Sequence, residues 1–326
     1  MTIRWGIIGC GDVTEVKSGP GFQKAAQSEL VAVMRRQGHL ARDYARRHQV
    51  PRWYDDAGAL INDPEVDAVY IATPPAFHKS YTIQCAQAGK PVYVEKPMAM
   101  NYGECLEMIQ ACEQAKVPLF VAYYRRALPR FLKIKELIGA GAIGQVRSVT
   151  VNYFRKPLKL DPEAKGLPWR VVPELSGGGL LLDVGSHTLD ILDFLLGPVR
   201  EVKGFAANQA HQYSVEDIVT GGFVFESGAH GMGTWCFSAY DNCDLNEIIG
   251  SKGKLSFSTF GSDPVVLTTE RGPVEFPCEN PLHIQQPLIQ TIVNELNGNG
   301  ICPSHGDSAA RTSWVMDQLL QDYSNK

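Results

Sequence analysis

The chain contains no Cys-x-x-Cys pair, no apolar run of about 18 residues, no block of like charge and no internal repeat. Each absence closes off a class of protein. Eight cysteines without paired spacing fit reduced thiols in a cytoplasmic protein better than a disulfide framework or a zinc site. Without a long apolar run, a membrane span is not expected. Met1-Thr2-Ile3-Arg4-Trp5 enters a strand pattern directly, without the charged and apolar regions of a signal peptide. With 31 Lys and Arg against 35 Asp and Glu, the net charge of −4 provides no basic field for nucleic acid. A Gly-x-Ser-x-Gly elbow, which a Ser–His–Asp hydrolase would need, is also missing. A small molecule is left as the expected partner.

What is present is a chain of 326 residues, 44% hydrophobic and 20% charged, too long for one ordinary core. Two domains are expected, residues 1–122 and 123–326. In the first, short apolar strands alternate with helical patterns, which implies a doubly wound parallel sheet with right-handed crossovers. Ile3 to Ile8 is the first strand, and it runs into Gly9-Cys10-Gly11-Asp12-Val13-Thr14. A Gly-x-Gly after a strand lets backbone amides approach a pyrophosphate, with Asp12 and Val13 opening the helix that follows. Thr14 stands at the third fingerprint position, where Gly or Ala would pack helix and strand more closely. Leu30 to Met34 is a second buried strand, followed at once by Arg35-Arg36. An acidic residue there would bind ribose hydroxyls, whereas arginine accommodates a 2′-phosphate, so the pair argues for NADP over NAD. The alternative is a solvated pair at a strand end.

The strand Asp67 to Thr73 stops at Pro74-Pro75, with His78 just beyond. A Thr73-Pro74 loop at a strand end would border the nicotinamide ribose, and His78 is a binding candidate beside it. Asp56 and Asn101 are expected helix caps, the latter with Glu104 three residues on. Val92-Tyr93-Val94 leads into Glu95-Lys96-Pro97. A proline lacks an amide donor and fixes the local backbone, so the strand must turn there. In open parallel sheets, ligands sit beyond the carboxyl ends of strands. Lys96 is thereby placed to meet a cofactor or substrate, unless it is an ordinary surface lysine.

After Ala122 the pattern changes to long strands in sequence, which favours a largely antiparallel sheet with helices on one face. This α+β domain begins with Tyr123-Tyr124-Arg125-Arg126 and a helix through Ile138. Ile218 to Phe225 and Ala229 to Phe237 read as a hairpin around the turn Glu226-Ser227-Gly228. Lys156 to Leu175 carries four prolines and Trp169-Arg170, and reads as a loop. Gly177-Gly178-Gly179 ends it, and a helix is expected from Leu180 to Leu196. Helical spacing sets Asp183, His187 and Asp190 on one face of that apolar helix. Charges on a buried helix are costly unless paired or lining a site. A carboxylate beside an imidazole can orient it and tune its proton affinity. No third His or Cys lies nearby, so no metal is expected. Tyr123, Arg125, Arg126, Trp169 and Arg170 are candidates to line a substrate pocket, the alternative for the arginines being an interdomain brace.

With Gly9-x-Gly11, Glu95-Lys96-Pro97 and Gly177-Gly178-Gly179-x-x-x-Asp183-x-Gly185-x-His187 in order, nearly the whole chain resembles the glucose–fructose oxidoreductase / inositol dehydrogenase (Gfo/Idh/MocA) family. The resemblance implies an NAD(P)-dependent oxidoreductase acting on a sugar, a cyclic polyol or a related carbonyl compound. It implies that Lys96 contacts nicotinamide and substrate through a cis Lys-Pro peptide. Asp183 would hold substrate hydroxyls and His187 would give or take the proton. Glu95 joins the cofactor-binding set through the same motif. A homodimer or homotetramer through the second-domain sheet is also implied. Among relatives, other outcomes are glycoside cleavage by transient oxidation with NAD, reduction or oxidation of a dihydrodiol, and dinucleotide binding without turnover.

Overall fold

The computed structural model describes residues 1–159 and 166–324, which group into two compact units. The first comprises Met1–Leu128 and Pro281–Ala310; the second comprises Pro129–Asn280 and the chain from Arg311 onward. A single boundary after residue 122 therefore does not describe the chain, because the stretch 281–310 returns to the first unit. Among the described residues no helix is long and apolar enough to cross a membrane.

In the first unit, β1 (Ile3–Ile8), β2 (Ser28–Met34), β3 (Arg52–Tyr54), β4 (Ala68–Ile71), β5 (Val92–Val94) and β6 (Leu119–Val121) make one sheet. Their order is β3-β2-β1-β4-β5-β6, and every neighbouring pair is parallel. Helices cover both faces of such a sheet, so its strands are apolar throughout instead of alternating. Every residue of β4 and β5 is accordingly buried. The strand order reverses at β1, where an open parallel sheet forms its ligand crevice. The expected doubly wound architecture is present. Asp56 Oδ1 caps its helix by accepting from Ala59 N at 2.8 Å. Asn101 Oδ1 accepts from Glu104 N at 2.9 Å, while Glu104 Oε2 reaches back to Met100 N at 3.3 Å, one residue beyond the cap.

The returning segment has a physical reason to be there. Strand β6 is an edge, and an edge leaves a row of unpaired backbone groups. Ser304 covers it: its hydroxyl donates to Val121 O at 2.7 Å, and its carbonyl accepts from Val121 N at 3.2 Å. Phe120 bridges antiparallel to His305. The helix Gln286–Leu296 packs on the helix Gly19–Lys24.

The second unit is built on eight strands: β7 (Val146–Phe154), β8 (Val199–Ala207), β9 (Ile218–Phe225), β10 (His230–Cys236), β11 (Cys243–Gly250), β12 (Gly253–Phe257), β13 (Val265–Thr269) and β14 (Gly272–Phe276). They run in the order β14-β13-β12-β11-β7-β10-β9-β8, antiparallel except for β10 beside β7. Period-two alternation sends Val149, Val151 and Tyr153 of β7 inward. The outward face leaves Phe205 and Met232 largely exposed.

Candidate active site

Four strand ends and loops of the first unit carry the expected cofactor residues. Gly9 has φ +92°, and a Cβ there would come within 3.0 Å of the Ala72 backbone and the Thr73 methyl. Only glycine fits both demands. The amides of Gly9 and Cys10 donate to Met34 O at 2.9 and 3.1 Å, tying the loop to the end of β2. Gly11 is different: a Cβ there would meet only Gly9 O, at 3.9 Å, so the backbone is open to a close approach. Asp12 and Val13 then open the helix Asp12–Val16. Thr14, expected to cost closeness, is fully buried and closes the turn. Its hydroxyl donates to Gly11 O at 2.8 Å and accepts from Gly11 N at 3.1 Å.

Arg35 and Arg36 are exposed just past β2. Arg35 Nη1 lies 3.5 Å from Cys10 O, and the Arg36 guanidinium sits 5.2 Å from the Phe77 ring centroid. Beyond β4, Thr73 Oγ1 is buried and has no hydrogen-bond partner among the described residues. Pro74 beside it is half-buried. An open Gly11 backbone, the unpartnered Thr73 hydroxyl and two flanking guanidiniums suit the phosphates and ribose of a dinucleotide.

Two of the expected cofactor contacts are corrected. His78 is completely buried, with Nε2 2.7 Å from Thr73 O and Nδ1 3.1 and 3.2 Å from the carbonyl oxygens of Pro97 and Met98. Both ring nitrogens face main chain, so it braces the loop after β4 against the loop after β5. Burial pushes its proton affinity down, and the carbonyls oppose that shift. Glu95 is likewise buried. Its Oε1 accepts from Tyr70 Oη at 2.5 Å and from Gln285 Nε2 at 2.6 Å, and its Oε2 accepts from Lys96 N at 3.1 Å. Gln285 Oε1 in turn accepts from Tyr93 Oη at 2.9 Å. This carboxylate holds the main chain at Lys96 and is not aimed at a ligand. Lys96 is half-buried, and its peptide bond to Pro97 is cis.

At the start of the segment after β6, Tyr123 lies wholly within the core of the first unit, which corrects its reading as a pocket residue. Arg125 and Arg126 are buried as well. Arg125 lies over the Tyr124 ring at 4.9 Å, and Arg126 Nη1 donates to Pro303 O at 3.1 Å. Arg126 therefore struts the returning segment within its own unit.

The second unit carries the other cluster. Of the proline-rich stretch, residues 160–165, Pro162 among them, lie outside the described residues. The remainder contains a 3₁₀ turn, Trp169–Val171, and a short helix, Pro173–Ser176, so it is less irregular than expected. The expected helix from Leu180 divides into a π turn, Leu181–Gly185, and an α-helix, Ser186–Leu196. Wide turns of this kind are rare and concentrate at functional sites. Asp183 stands in the π turn, and His187 follows in the helix. Arg170 Nε lies 3.0 Å from Asp183 Oδ2, with the arginine side chain half exposed and the carboxylate mostly enclosed. Trp169 stacks under the same guanidinium at 4.6 Å. His187 is buried and meets the Phe260 ring edge-on, with centroids 5.6 Å apart. Asp190 is fully buried.

Phe260, Asp244 and Glu216 were not identified from sequence. Asp244 accepts from Thr259 N at 2.8 Å and Phe260 N at 2.7 Å, fixing the ring beside His187. Glu216 accepts from Gly179 N through both carboxylate oxygens, at 2.9 and 3.0 Å. The adjacent acids Glu216-Asp217 before an apolar strand were the available signal. Among the described residues no group of three His, Cys, Asp or Glu side chains could hold a metal.

The parallel sheet with its glycine loop, joined to a mostly antiparallel second unit, defines a dinucleotide-dependent oxidoreductase. Residues 3–123 match the oxidoreductase family with an NAD-binding Rossmann fold, and residues 131–256 match the Gfo/Idh/MocA C-terminal domain. The chain belongs to the Gfo/Idh/MocA family. It is 40% identical over 317 residues to Oxidoreductase P35 of Formosa agariphila, covering 97% of each chain. It is 28% identical over 303 residues to 1,5-anhydro-D-fructose reductase of Ensifer adhaerens, covering 91% of this chain and 89% of that one. Among solved structures, aldose-aldose oxidoreductase from Caulobacter crescentus complexed with glycerol superposes with a TM-score of 0.85 at 26% identity, covering 100% and 98% of the two chains.

Proposed function

We propose that the protein transfers a hydride between nicotinamide and a sugar, cyclic polyol or related carbonyl compound. The observation that supports this most strongly is the pairing of Arg170, from the Trp169–Val171 turn, with Asp183, in the π turn just ahead of the helix of His187. A carboxylate paired with a half-exposed guanidinium offers an acceptor and a donor set to a polyhydroxylated ligand. Relatives named for 1,5-anhydro-D-fructose and for aldoses point to the same substrate class.

Removing hydride from an alcohol carbon requires its hydroxyl to lose a proton, and the reverse reaction requires the oxygen to gain one. His187 is assigned that proton, because an imidazole titrates in the range where either direction is accessible. Its ring is held by Phe260, and Asp183 orients the substrate hydroxyls. Lys96 is assigned the stabilisation of charge developing on the reacting oxygen. The bound nicotinamide supplies or accepts the hydride. Gly9, Gly11, Asp12 and Val13 would approach the pyrophosphate, Thr73 and Pro74 the nicotinamide ribose. Arg35 and Arg36 favour NADP over NAD, because exposed guanidiniums past β2 meet a 2′-phosphate.

A homodimer or homotetramer through the second-unit sheet is supported by the exposed Phe205 and Met232 on its outward face. The free state of all eight cysteines supports a cytoplasmic location. A second reading, oxidation of a non-sugar vicinal diol, is favoured by 27% identity over 278 residues to trans-1,2-dihydrobenzene-1,2-diol dehydrogenase of Bos taurus. The test is to titrate NADPH and NADH separately by fluorescence and then follow cofactor absorbance with sugars, keto-sugars, polyols and dihydrodiols. Turnover of sugars or polyols with NADPH is expected. Turnover of dihydrodiols alone would transfer the reading to the second class. Released glycoside product without net cofactor change would contradict simple dehydrogenation.

A further inference from the structure

The turn that carries Asp183 begins against a buried acid. Glu216 is almost completely buried, and both of its carboxylate oxygens accept from Gly179 N. The amide of Leu181, first residue of the π turn, also faces it. A carboxylate at the start of a helical segment satisfies amides that have no partner within the segment. The approach is close. A Cβ on Gly179 would lie 2.5 Å from Glu216 O and 2.6 Å from Glu216 Oε1. The third glycine of the Gly177-Gly178-Gly179 run is therefore required by this acid.

We propose that Glu216 is a positioning residue for the reaction, an ionisable anchor that fixes the turn which carries Asp183 and leads into the helix of His187. The inference rests on the roles assigned above to those two residues. When the carboxylate is charged, it binds the Gly179 amide with charge-assisted hydrogen bonds, which are the stronger kind, and faces the Leu181 amide. When it takes up a proton, it keeps its acceptors and loses that charge, and the turn is held less firmly. The titratable groups that face Glu216 are Asp217, Tyr213 and Tyr323. Asp217 is itself occupied, accepting from Gln209 N at 2.8 Å and Ala210 N at 2.7 Å. Burial, followed by the neighbouring Asp217, raises the proton affinity of Glu216 to a pKa of about 7, with the amides opposing. The anchor therefore changes charge within the working range of the proposed chemistry.

The test compares the full-length protein with Glu216→Gln, which keeps the shape and an acceptor oxygen and has no charge at any pH. The first readout is the Gly179 amide proton shift in the ¹⁵N-labelled protein, followed against pH. It is expected to titrate near neutrality in the wild type and to stay flat in the variant. The second readout is kcat against pH. The variant is expected to lose about tenfold in kcat at pH 8 and to lose one ionisation from the acid limb, with cofactor KM within twofold. A Gly179 amide that does not titrate in the wild type, or titrates equally in both, overturns the anchor. An unchanged kcat and acid limb in a folded Glu216→Gln overturns its role in turnover. If the wild type turns over no alcohol or carbonyl, the proposed reaction is what fails, and the amide titration still decides the anchor.

Discussion

Gln285 Nε2 donates to Glu95 Oε1 at 2.6 Å, across 190 positions of sequence and within one buried network. The same carboxylate accepts from Tyr70 Oη and from Lys96 N. Removing the amide leaves a buried carboxylate short of one donor and a buried Tyr93 hydroxyl without its acceptor. Gln285→Ala is expected to destabilise the fold by about 1–3 kcal/mol, read from the urea midpoint. It should also lower kcat more than it raises cofactor KM, since the network holds the backbone at Lys96. A variant as stable as the wild type would show that the network contributes little.

Arg170 and Asp183 form a pair with one partner half exposed, and such pairs contribute about 0–1 kcal/mol to stability. Arg170→Ala should leave the unfolding midpoint nearly unchanged and raise substrate KM about tenfold, with cofactor affinity unaltered. If KM stays constant, the guanidinium does not meet the substrate.

The two arginines past β2 predict a cofactor switch. Arg36→Asp places a carboxylate where a 2′-phosphate would sit and where ribose hydroxyls would be accepted. The ratio of kcat/KM for NADPH to that for NADH should fall about tenfold or more. A ratio that does not move would assign the phosphate contact elsewhere.

Glu216 also makes stability depend on pH. Its carboxyl binds a proton more tightly in the folded protein, with its pKa raised by burial from 4.5 to about 7. The folded state thus holds more protons than the unfolded chain between those values, and stability falls as pH rises. The contribution is complete below about pH 4.5 and lost by about pH 7, and it amounts to about 3 kcal/mol. The stability of the wild type relative to Glu216→Gln should decline by about that much across the window, measured by urea unfolding at fixed pH steps. Parallel curves would contradict it.

Much of this was legible in the chain. The first sheet could be read because β1, β2, β4, β5 and β6 are short apolar runs ending in glycine, arginine, proline or polar residues, each a local signal. The long strands β7 to β12 could be read from turns such as Glu226-Ser227-Gly228. The strands β13 and β14 were not identified, being short and only partly buried. The return of 281–310 left no local trace, since its reason is the unpaired edge of β6. For the same cause Gln285 could not be found: its partner lies far away in sequence. His78, Glu95 and Tyr123 read as binding residues because each stands at or just past the end of a strand. Their burial, which decides between contact and bracing, depends on neighbours that spacing does not reveal. The π turn at Asp183 is likewise set by packing, including that of Glu216 on Gly179.

In the proposed reaction, Lys96 stabilises charge on the reacting oxygen and His187 carries its proton, so loss of either should impair hydride transfer. The direct measurement is steady-state turnover of the best substrate from the sugar and polyol screen by the wild type, Lys96→Met and His187→Ala, with NADPH binding followed in parallel by fluorescence. Each substitution should lower kcat by about a hundredfold or more, while His187→Ala binds NADPH as tightly as the wild type. Wild-type turnover in both variants would contradict the assignment.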